Sequence, residues 1–427
     1  MQPKLDSTEQ EHRHWLAQLD RSERTTLIAT FAGWMLDGMD VMVYSFVLPS
    51  LIVLWHISRG QAGLLGTSAL LLSSVGGWLA GLAADRWGRV RVLTWTIVWF
   101  AAFTFLSGCT NSFQQLFIAR GLQGLGFGGE WAVGSVLIGE RVRAKFRGRA
   151  VGTMQGGWAI GWGVAAISYT VLFRTLPTAT AWRLMFWIGI LPALLGFWIQ
   201  RHVPESEIFK ESHAPHKSEP GAHFLRIFAP SMLRTTLLAS LVALGAQGGF
   251  YTVNTFLPLY LNYRGLSVAS TGEYLMIVIL GSFAGYMTSA HLTDWIGRRW
   301  SLIIFAVGSF SAVAVYTIIP LSNTATLLIG FPLGFFPSGS FSPMGSFFTE
   351  LFPTSLRGSG QGFTYNLGRG VGALFPALAG FFSARMPLGQ AIAVFAVTAY
   401  LLMVVGVLLL PETGGRELAD VDRMLSD

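Results

Sequence analysis

Twelve apolar runs of roughly 18–28 residues divide this chain, near 27–54, 63–84, 92–109, 115–138, 149–172, 183–201, 235–260, 272–292, 300–319, 325–348, 359–384 and 388–410. At ~1.5 Å per residue, each is long enough as a helix to cross a ~30 Å hydrocarbon core. Charged residues make up 12% of the 427 positions and apolar ones 52%, against ~25% charge in an ordinary soluble domain. The expected fold class is an all-α polytopic membrane protein with 12 transmembrane helices.

Orientation follows from the positive loops, which stay on the cytoplasmic side. With the N-terminus inside, the inner loops hold sixteen Lys and Arg residues, among them Arg86, Arg89, Arg91, the run Arg141 to Arg149, Arg298 and Arg299. The outer loops hold five: Arg59, Arg174, Arg183, Arg264 and Arg385. Both termini are therefore expected in the cytoplasm and the chain in the cell's inner membrane. The net charge of +7 is accounted for by this asymmetry, so no nucleic-acid partner is expected. The mixed-sign opening "MQPKLDSTEQEHRHWLAQLDRSERTT" has no apolar core with a cleavage site and does not read as a signal peptide. A single cysteine, Cys109, rules out intrachain disulfides, and the eight histidines give no ligand pair inside a span. No metal site, no cofactor and no enzymatic chemistry are expected.

One long polar connection, "RHVPESEIFKESHAPHKSEPGAHFLRIFAP", separates spans six and seven. It sets the expected organisation: an N-terminal tail over 1–24, a six-helix half over 25–201, a cytoplasmic linker over 202–233, a second half over 234–410 and a tail over 411–427. The halves repeat. "GLAADRWGRVRVL" after span two returns as "HLTDWIGRRWSL" after span eight, with Asp85 and Asp294 separated by 209 residues. "ERVRAKFRG" after span four returns as "ELFPTSLRG", with Glu140 and Glu350 separated by 210. Gly88 and Gly297 suit tight turns between helices.

These loops, with "RGLQGLGFGGE" in span four, "PESEIF" after span six and "PETGGREL" after span twelve, resemble the motifs of the major facilitator superfamily over essentially the full length of the chain. The resemblance implies two pseudo-symmetric six-helix halves that rock about a midplane site to give alternating access. It also implies that Asp85 and Arg89 with Glu140 and Arg147, and Asp294 and Arg298 with Glu350 and Arg357, latch the cytoplasmic side. The glycines of spans four and five are the small residues that let such helices approach closely.

Only five ionisable residues lie well inside spans: Asp37, Asp40, Arg120, Glu130 and Arg369. A charge at a helix centre costs at least ~2.5–3.5 kcal/mol on insertion scales, so each marks a functional position. Counted from the cytoplasmic ends, Asp37 lies roughly 15 Å deep, Asp40 roughly 19 Å, Glu130 roughly 13 Å and Arg369 roughly 15 Å. Four of the five thus share a layer, while Arg120 sits nearer the outer end of span four. Spacings of three and four place Asp37, Asp40 and Tyr44 on one face of span one, Gln155, Trp158 and Trp162 on one face of span five, and Gln247, Tyr251 and Asn254 on one face of span seven. In span eleven, Tyr365, Asn366 and Arg369 fall on one side. The pattern predicts a polar cavity with aromatic walls, with Arg369, Tyr44, Gln155, Trp158, Gln247, Tyr251, Asn254, Tyr365 and Asn366 at the substrate.

A guanidinium does not deprotonate in a protein, so a midplane Arg369 needs an anion: a visiting carboxylate held bidentately, or a fixed salt bridge to an acid of the first half. "GRGVGALFP" in span eleven is similar to the organic-anion branch of the superfamily, "DGMD" in span one to aromatic acid:proton symporters, and "GGEW" in span four to sialate and metabolite:proton symporters. An anion moving alone into a cell that is negative inside works against ~2.3 kcal/mol per 100 mV, and cotransport with one proton cancels that cost. The expected partners are therefore a small organic anion, protons as the coupling ion and the lipid bilayer, with the protein a monomer. Asp37 or Asp40 is the expected main proton carrier, with Glu130 next; Arg120, in a motif the resemblance associates with packing against span one, is expected to tune the acid. The alternatives are a sialic acid or sugar-like solute, or a drug:proton antiporter, although span five lacks the Gly-Pro pair of antiporter-type motifs.

Overall fold

In the computed structural model, residues 15–203, 225–266, 268–353 and 356–413 are described. Among them there is no strand, and fifteen α-helices build twelve spans. The first half holds α1 Arg21–Trp55, α2 Arg59–Trp87, α3 Arg89–Gly108, α4 Phe113–Arg141, α5 Ala144–Thr175, α6 Thr178–Trp187 and α7 Leu191–His202. The second holds α8 Pro230–Tyr263, α9 Val268–Ile296, α10 Arg298–Ile318, α11 Asn323–Gly339, α12 Phe341–Leu351, α13 Arg357–Gly372, α14 Leu374–Phe382 and α15 Leu388–Leu409. Most of the expected linker falls on 204–224, outside the described residues.

Three spans are broken where the sequence suggests continuous helices. Span six passes through a 3-10 turn at Ile188–Ile190, just before Pro192. Span ten divides at Ser340, after Pro337, and span eleven at Ala373, where Pro376 has no N–H to continue the helical ladder. Nine helical stretches among the described residues are long and apolar enough to cross a membrane. Spans ten and eleven miss that measure because each is split into shorter pieces, and span four because its glycines, Arg120 and Glu130 dilute it. The first helix starts earlier than expected because Asp20 and Glu23 form a capping box: Glu23 N donates to Asp20 Oδ1 at 2.8 Å and Asp20 N to Glu23 Oε2 at 2.9 Å.

The two halves are built alike. Helices α2 and α4 pack closely in the first, and their repeat partners α9 and α11 in the second. At Gly128 of α4 a Cβ would stand 1.7 Å from Ser73 O of α2, and at Gly334 of α11 one would stand 1.8 Å from Val278 O of α9. The same backbone-to-backbone approach recurs in each half, and no larger residue permits it. The turns leading into α3 and α10 also match, with Gly88 at φ 99° and Gly297 at φ 89°, values that disfavour any side chain.

The halves meet along α5 and α9, along α2 with α13 and α14, and along α1 and α8. Twelve spans leave Trp15 and Thr413 on one side of the protein, here the tail side; the other is the far side. On the far side Arg59 of α2 clasps the second half, donating to Ser383 O at 3.1 Å and to Tyr263 Oη at 2.8 Å. On the tail side Arg298 Nη2 lies 3.2 Å from Glu350 Oε1, one of the expected latch pairs. Glu350 also accepts from Thr413 Oγ1 at 2.6 Å, and Glu412 accepts the backbone N–H groups of Arg298 and Arg299 at the start of α10. Arg89 donates to Ala84 O at 2.8 Å. The side chains of Asp85, Glu140, Arg147, Asp294 and Arg357 lie outside the described residues. An ion pair that the spacing of the sequence does not disclose bolts the start of α1 to the turn before α5: Arg143 donates to the buried Glu23 through Nε at 2.8 Å and Nη2 at 2.7 Å. This bond holds the Arg143 guanidinium above its ordinary pKa.

Replacing Gly128 by valine forces α2 and α4 apart. Thermal melting of the purified variant is expected to show a loss of at least ~1–3 kcal/mol, the usual cost of overpacking; an unchanged melting temperature would contradict the close approach.

Candidate functional site

All five membrane-embedded charges are buried, with Asp37, Asp40 and Arg369 fully so. They do not form one cluster. Asp40 belongs to a charge-paired group on the far-side part of the layer: its Oδ2 lies 3.5 Å from Arg120 Nη1 and accepts from Gln123 Nε2, while its Oδ1 and Arg120 Nε have no hydrogen-bond partner among the described residues. Gln123 Oε1 in turn accepts from Arg120 Nη1 at 2.7 Å, and the guanidinium stands 4.9 Å from the centre of the Tyr44 ring. Tyr44 donates to Ala62 O. Arg120, placed by depth counting away from the acids, reaches Asp40 because its long side chain crosses from α4 to α1. Gln123, three residues on, is the neighbour that the "RGLQGLG" spacing could have disclosed.

Asp37 is in a different position. Neither of its oxygens receives a hydrogen bond from a donor among the described residues. It faces the carboxyl of Glu130 at hydrogen-bonding range, with Asp40 a further acidic neighbour and Arg369 a basic one. This approach depends on Gly33, one turn earlier on α1: a Cβ there would lie 2.4 Å from Glu130 Oε1. With glycine there, the Glu130 carboxyl from α4 lies directly over the face of α1; a larger residue would displace the end of that side chain.

Arg369 comes from α13, the tail-side piece of span eleven. Its Nε donates to Gln247 Oε1 at 3.2 Å, and Gln247 Nε2 donates to Tyr365 O at 2.9 Å, so the amide fixes the guanidinium from behind. The guanidinium carbon lies 4.8 Å from the Phe127 ring and 5.0 Å from the Tyr365 ring. Nη1 and Nη2 have no hydrogen-bond partner among the described residues. The surrounding walls are aromatic: Trp158 lies 5.0 Å from Trp34, 6.1 Å from Phe127 and 6.3 Å from Phe250, and Trp131 of α4 stacks on Tyr365 with ring centres 3.8 Å apart.

A cavity of about 20 Å³ lies between α1, α2 and α4 of one half and α8 of the other, lined among others by Tyr44, Arg120, Gln123, Phe127, Tyr251 and Asn254. That is room for a water molecule or two. Of the residues expected at a substrate, Tyr44, Tyr251 and Asn254 line this cavity, while Gln247 and Tyr365 hold Arg369 and Trp158 forms a wall. Gln155 is buried with its Oε1 unpaired among the described residues. Asn366 lies where α2 packs on α13, between the halves: its Oδ1 lies against Gly77 of α2, where a Cβ would stand 2.6 Å away, and its Nδ2 donates to Gly362 O. No group of three or more His, Cys, Asp or Glu positioned for a metal occurs among the described residues.

The Asp40–Arg120 pair makes a stability prediction. Arg120→Met leaves Asp40 buried without its cation and is expected to cost about 3–5 kcal/mol in thermal or denaturant unfolding. Adding Asp40→Asn should recover most of that loss, and a double variant no more stable than the single one would contradict the pairing.

The sequence matches the family model described as Major Facilitator Superfamily over residues 30–376. A "Probable 4-methylmuconolactone transporter" of Cupriavidus pinatubonensis is 41% identical over 401 residues, 94% of this chain and 93% of that protein. A "Cis,cis-muconate transport protein" of Acinetobacter baylyi is 30% identical over 402 residues, 91% of this chain and 94% of that protein. Among solved structures, that of the proton:xylose symporter XylE is similar in fold, with a TM-score of 0.75 at 18% identity, over 94% of this chain and 99% of that one. Family match, full-length relatives and two like halves together show that this chain belongs to the major facilitator superfamily and is a membrane transporter, not an enzyme.

Proposed function

We propose that the protein imports a small organic carboxylate together with a proton by alternating access. One observation carries this reading: Arg369 is fully buried and held by Gln247 between Phe127 and Tyr365, with both Nη groups unengaged among the described residues. A planar fork with two free donor nitrogens fits a carboxylate bidentately, and flat aromatic walls favour a planar, unsaturated acid. The relatives named for cis,cis-muconate and 4-methylmuconolactone support that substrate class. The cavity is too small for such a molecule, so loading requires one half to rock away from the other, with Arg59 clasping the far side and Arg298–Glu350 bracing the tail side.

The two acids of span one take different roles. Asp40 is committed to Arg120 and Gln123 and orders the site. Asp37, facing Glu130 and without a donor of its own, carries the proton, because two carboxyl groups so close hold one proton between them more readily than two charges. The tail side is the cytoplasmic side, on the distribution of Lys and Arg, and the protein acts as a monomer in the inner membrane with the proton as its coupling ion.

Uptake into proteoliposomes under an imposed pH gradient, alkaline inside, tests this. Both cis,cis-muconate and 4-methylmuconolactone are to be tried; accumulation that follows the gradient is expected, and accumulation that ignores it would sink proton symport. Arg369→Lys should lower uptake by about tenfold or more, since a lost bidentate contact is worth ~1.4 kcal/mol or above. Asp37→Asn should abolish gradient-driven accumulation, whereas Asp37→Asn accumulating like the wild type would move the proton to another group.

A further inference from the structure

We infer that substrate and proton leave the central site by different routes: the substrate passes between the two halves, and the proton passes through the interior of the first half, across a small cavity between Glu130 and Thr30. This rests on the reading of Asp37 and Glu130 as the proton-carrying pair.

The substrate route is blocked by a contact that joins the halves. Trp131 of α4 lies face to face with Tyr365 of α13, the planes within 10° of parallel, and Tyr365 stands one turn to the tail side of Arg369. A molecule held by Arg369 reaches the cytoplasm only when that stack parts.

Glu130 precedes Trp131 in the chain but points elsewhere, since successive residues of a helix are turned ~100° apart. Its carboxyl lies over Gly33 of α1, facing Asp37. The groups around this pair come from four helices: Glu130 of α4, Asp40 of α1 itself, Arg369 of α13 and Tyr251 of α8. On the other side of Glu130 lies a second cavity of about 10 Å³, lined entirely by the first half, in which Thr30, Trp34 and Glu130 supply the polar groups of an otherwise apolar wall that includes Gly134, Met154 and Ile97. It has room for about one water, which needs two to four polar partners. The Glu130 carboxyl and the Thr30 hydroxyl, which donates to Thr26 O at 2.9 Å and so offers its oxygen as an acceptor, provide them, and Trp34 brings an indole N–H that has no acceptor among the described residues.

The path continues along α1. Glu23, Thr26, Thr30 and Asp37 recur at spacings of three, four and seven and so share one face, and all four are buried. Thr26 Oγ1 has no hydrogen-bond partner among the described residues. Glu23 ends the stripe at Arg143, whose side chain is 55% exposed. In the transfer, the O–H bond of Asp37 breaks as one forms on Glu130; Glu130 then gives its proton to the cavity water, which releases a proton along this face of α1 toward its tail-side end. Asp37 is left as an anion facing Arg369, in place of the departed substrate carboxylate.

Two variants test the route without touching the substrate site. A Cβ at Gly134 would have Thr30 Cγ2 at 4.0 Å as its nearest neighbour, so Gly134→Val fills the cavity; Thr30→Val removes the hydroxyl while keeping its shape. In proteoliposomes both should retain cis,cis-muconate exchange at equal pH while losing gradient-driven accumulation by about a hundredfold, the lower range for loss of a positioned proton-transfer group. Thr30→Ser should restore it. With no substrate present, the carboxyl C=O infrared band of the purified protein should exchange into D₂O more slowly in both variants than in the wild type. Wild-type accumulation that ignores the gradient would overturn the symport reading and this inference with it. Variants that accumulate and exchange D₂O like the wild type would overturn the inference alone, as would loss of muconate exchange in step with accumulation.

Discussion

A guanidinium fully buried near the middle of a membrane protein, with no carboxylate at pairing distance among the described residues, is the constraint from which the rest of this site follows. Such a charge is costly in lipid by several kcal/mol, and its neighbours offset only part of that cost. Gln247 satisfies Nε, and the faces of Phe127 and Tyr365 lie against the cation. Nη1 and Nη2 have no such partner among the described residues, and under the proposed function they hold the substrate carboxylate. Arg120 shows the contrast: equally embedded, it has Asp40, Gln123 and the Tyr44 ring as permanent company. One arginine is paired within the protein, and the other is proposed to hold the substrate.

The same division separates the acids. In the sequence Asp37 and Asp40 look interchangeable, three positions apart on one helix face. Their surroundings make them different, because α4 delivers Arg120 and Gln123 to one and Glu130 to the other. Gly33 is what permits the second approach, and it has no chemistry of its own.

Much of this is legible in the amino-acid sequence. The spans, the repeat at nearly one offset and the five embedded charges all follow from hydropathy and residue type, which report the surrounding solvent directly. Counting depth along a helix gives a height in the membrane, but it says little about which way a side chain leans or how far it reaches. That is why depth alone sets Arg120 apart from an acid it contacts. Breaks at Ile188–Ile190, Ser340 and Ala373 depend on local proline geometry inside otherwise apolar runs, which hydropathy does not register. Glu23 is readable as a capping residue, but its ion pair with Arg143 arises from folding the turn before α5 back onto α1.

Whether Arg369 is held open for a carboxylate is tested most directly by ligand-dependent melting of the purified protein, with cis,cis-muconate compared against its dimethyl ester. Binding to the folded state raises the melting temperature in proportion to ligand occupancy. A carboxylate anchor predicts a saturable rise with muconate, no rise with the ester, and loss of most of the muconate effect in Arg369→Lys. An equal rise with the ester, or an undiminished rise in Arg369→Lys, would contradict it.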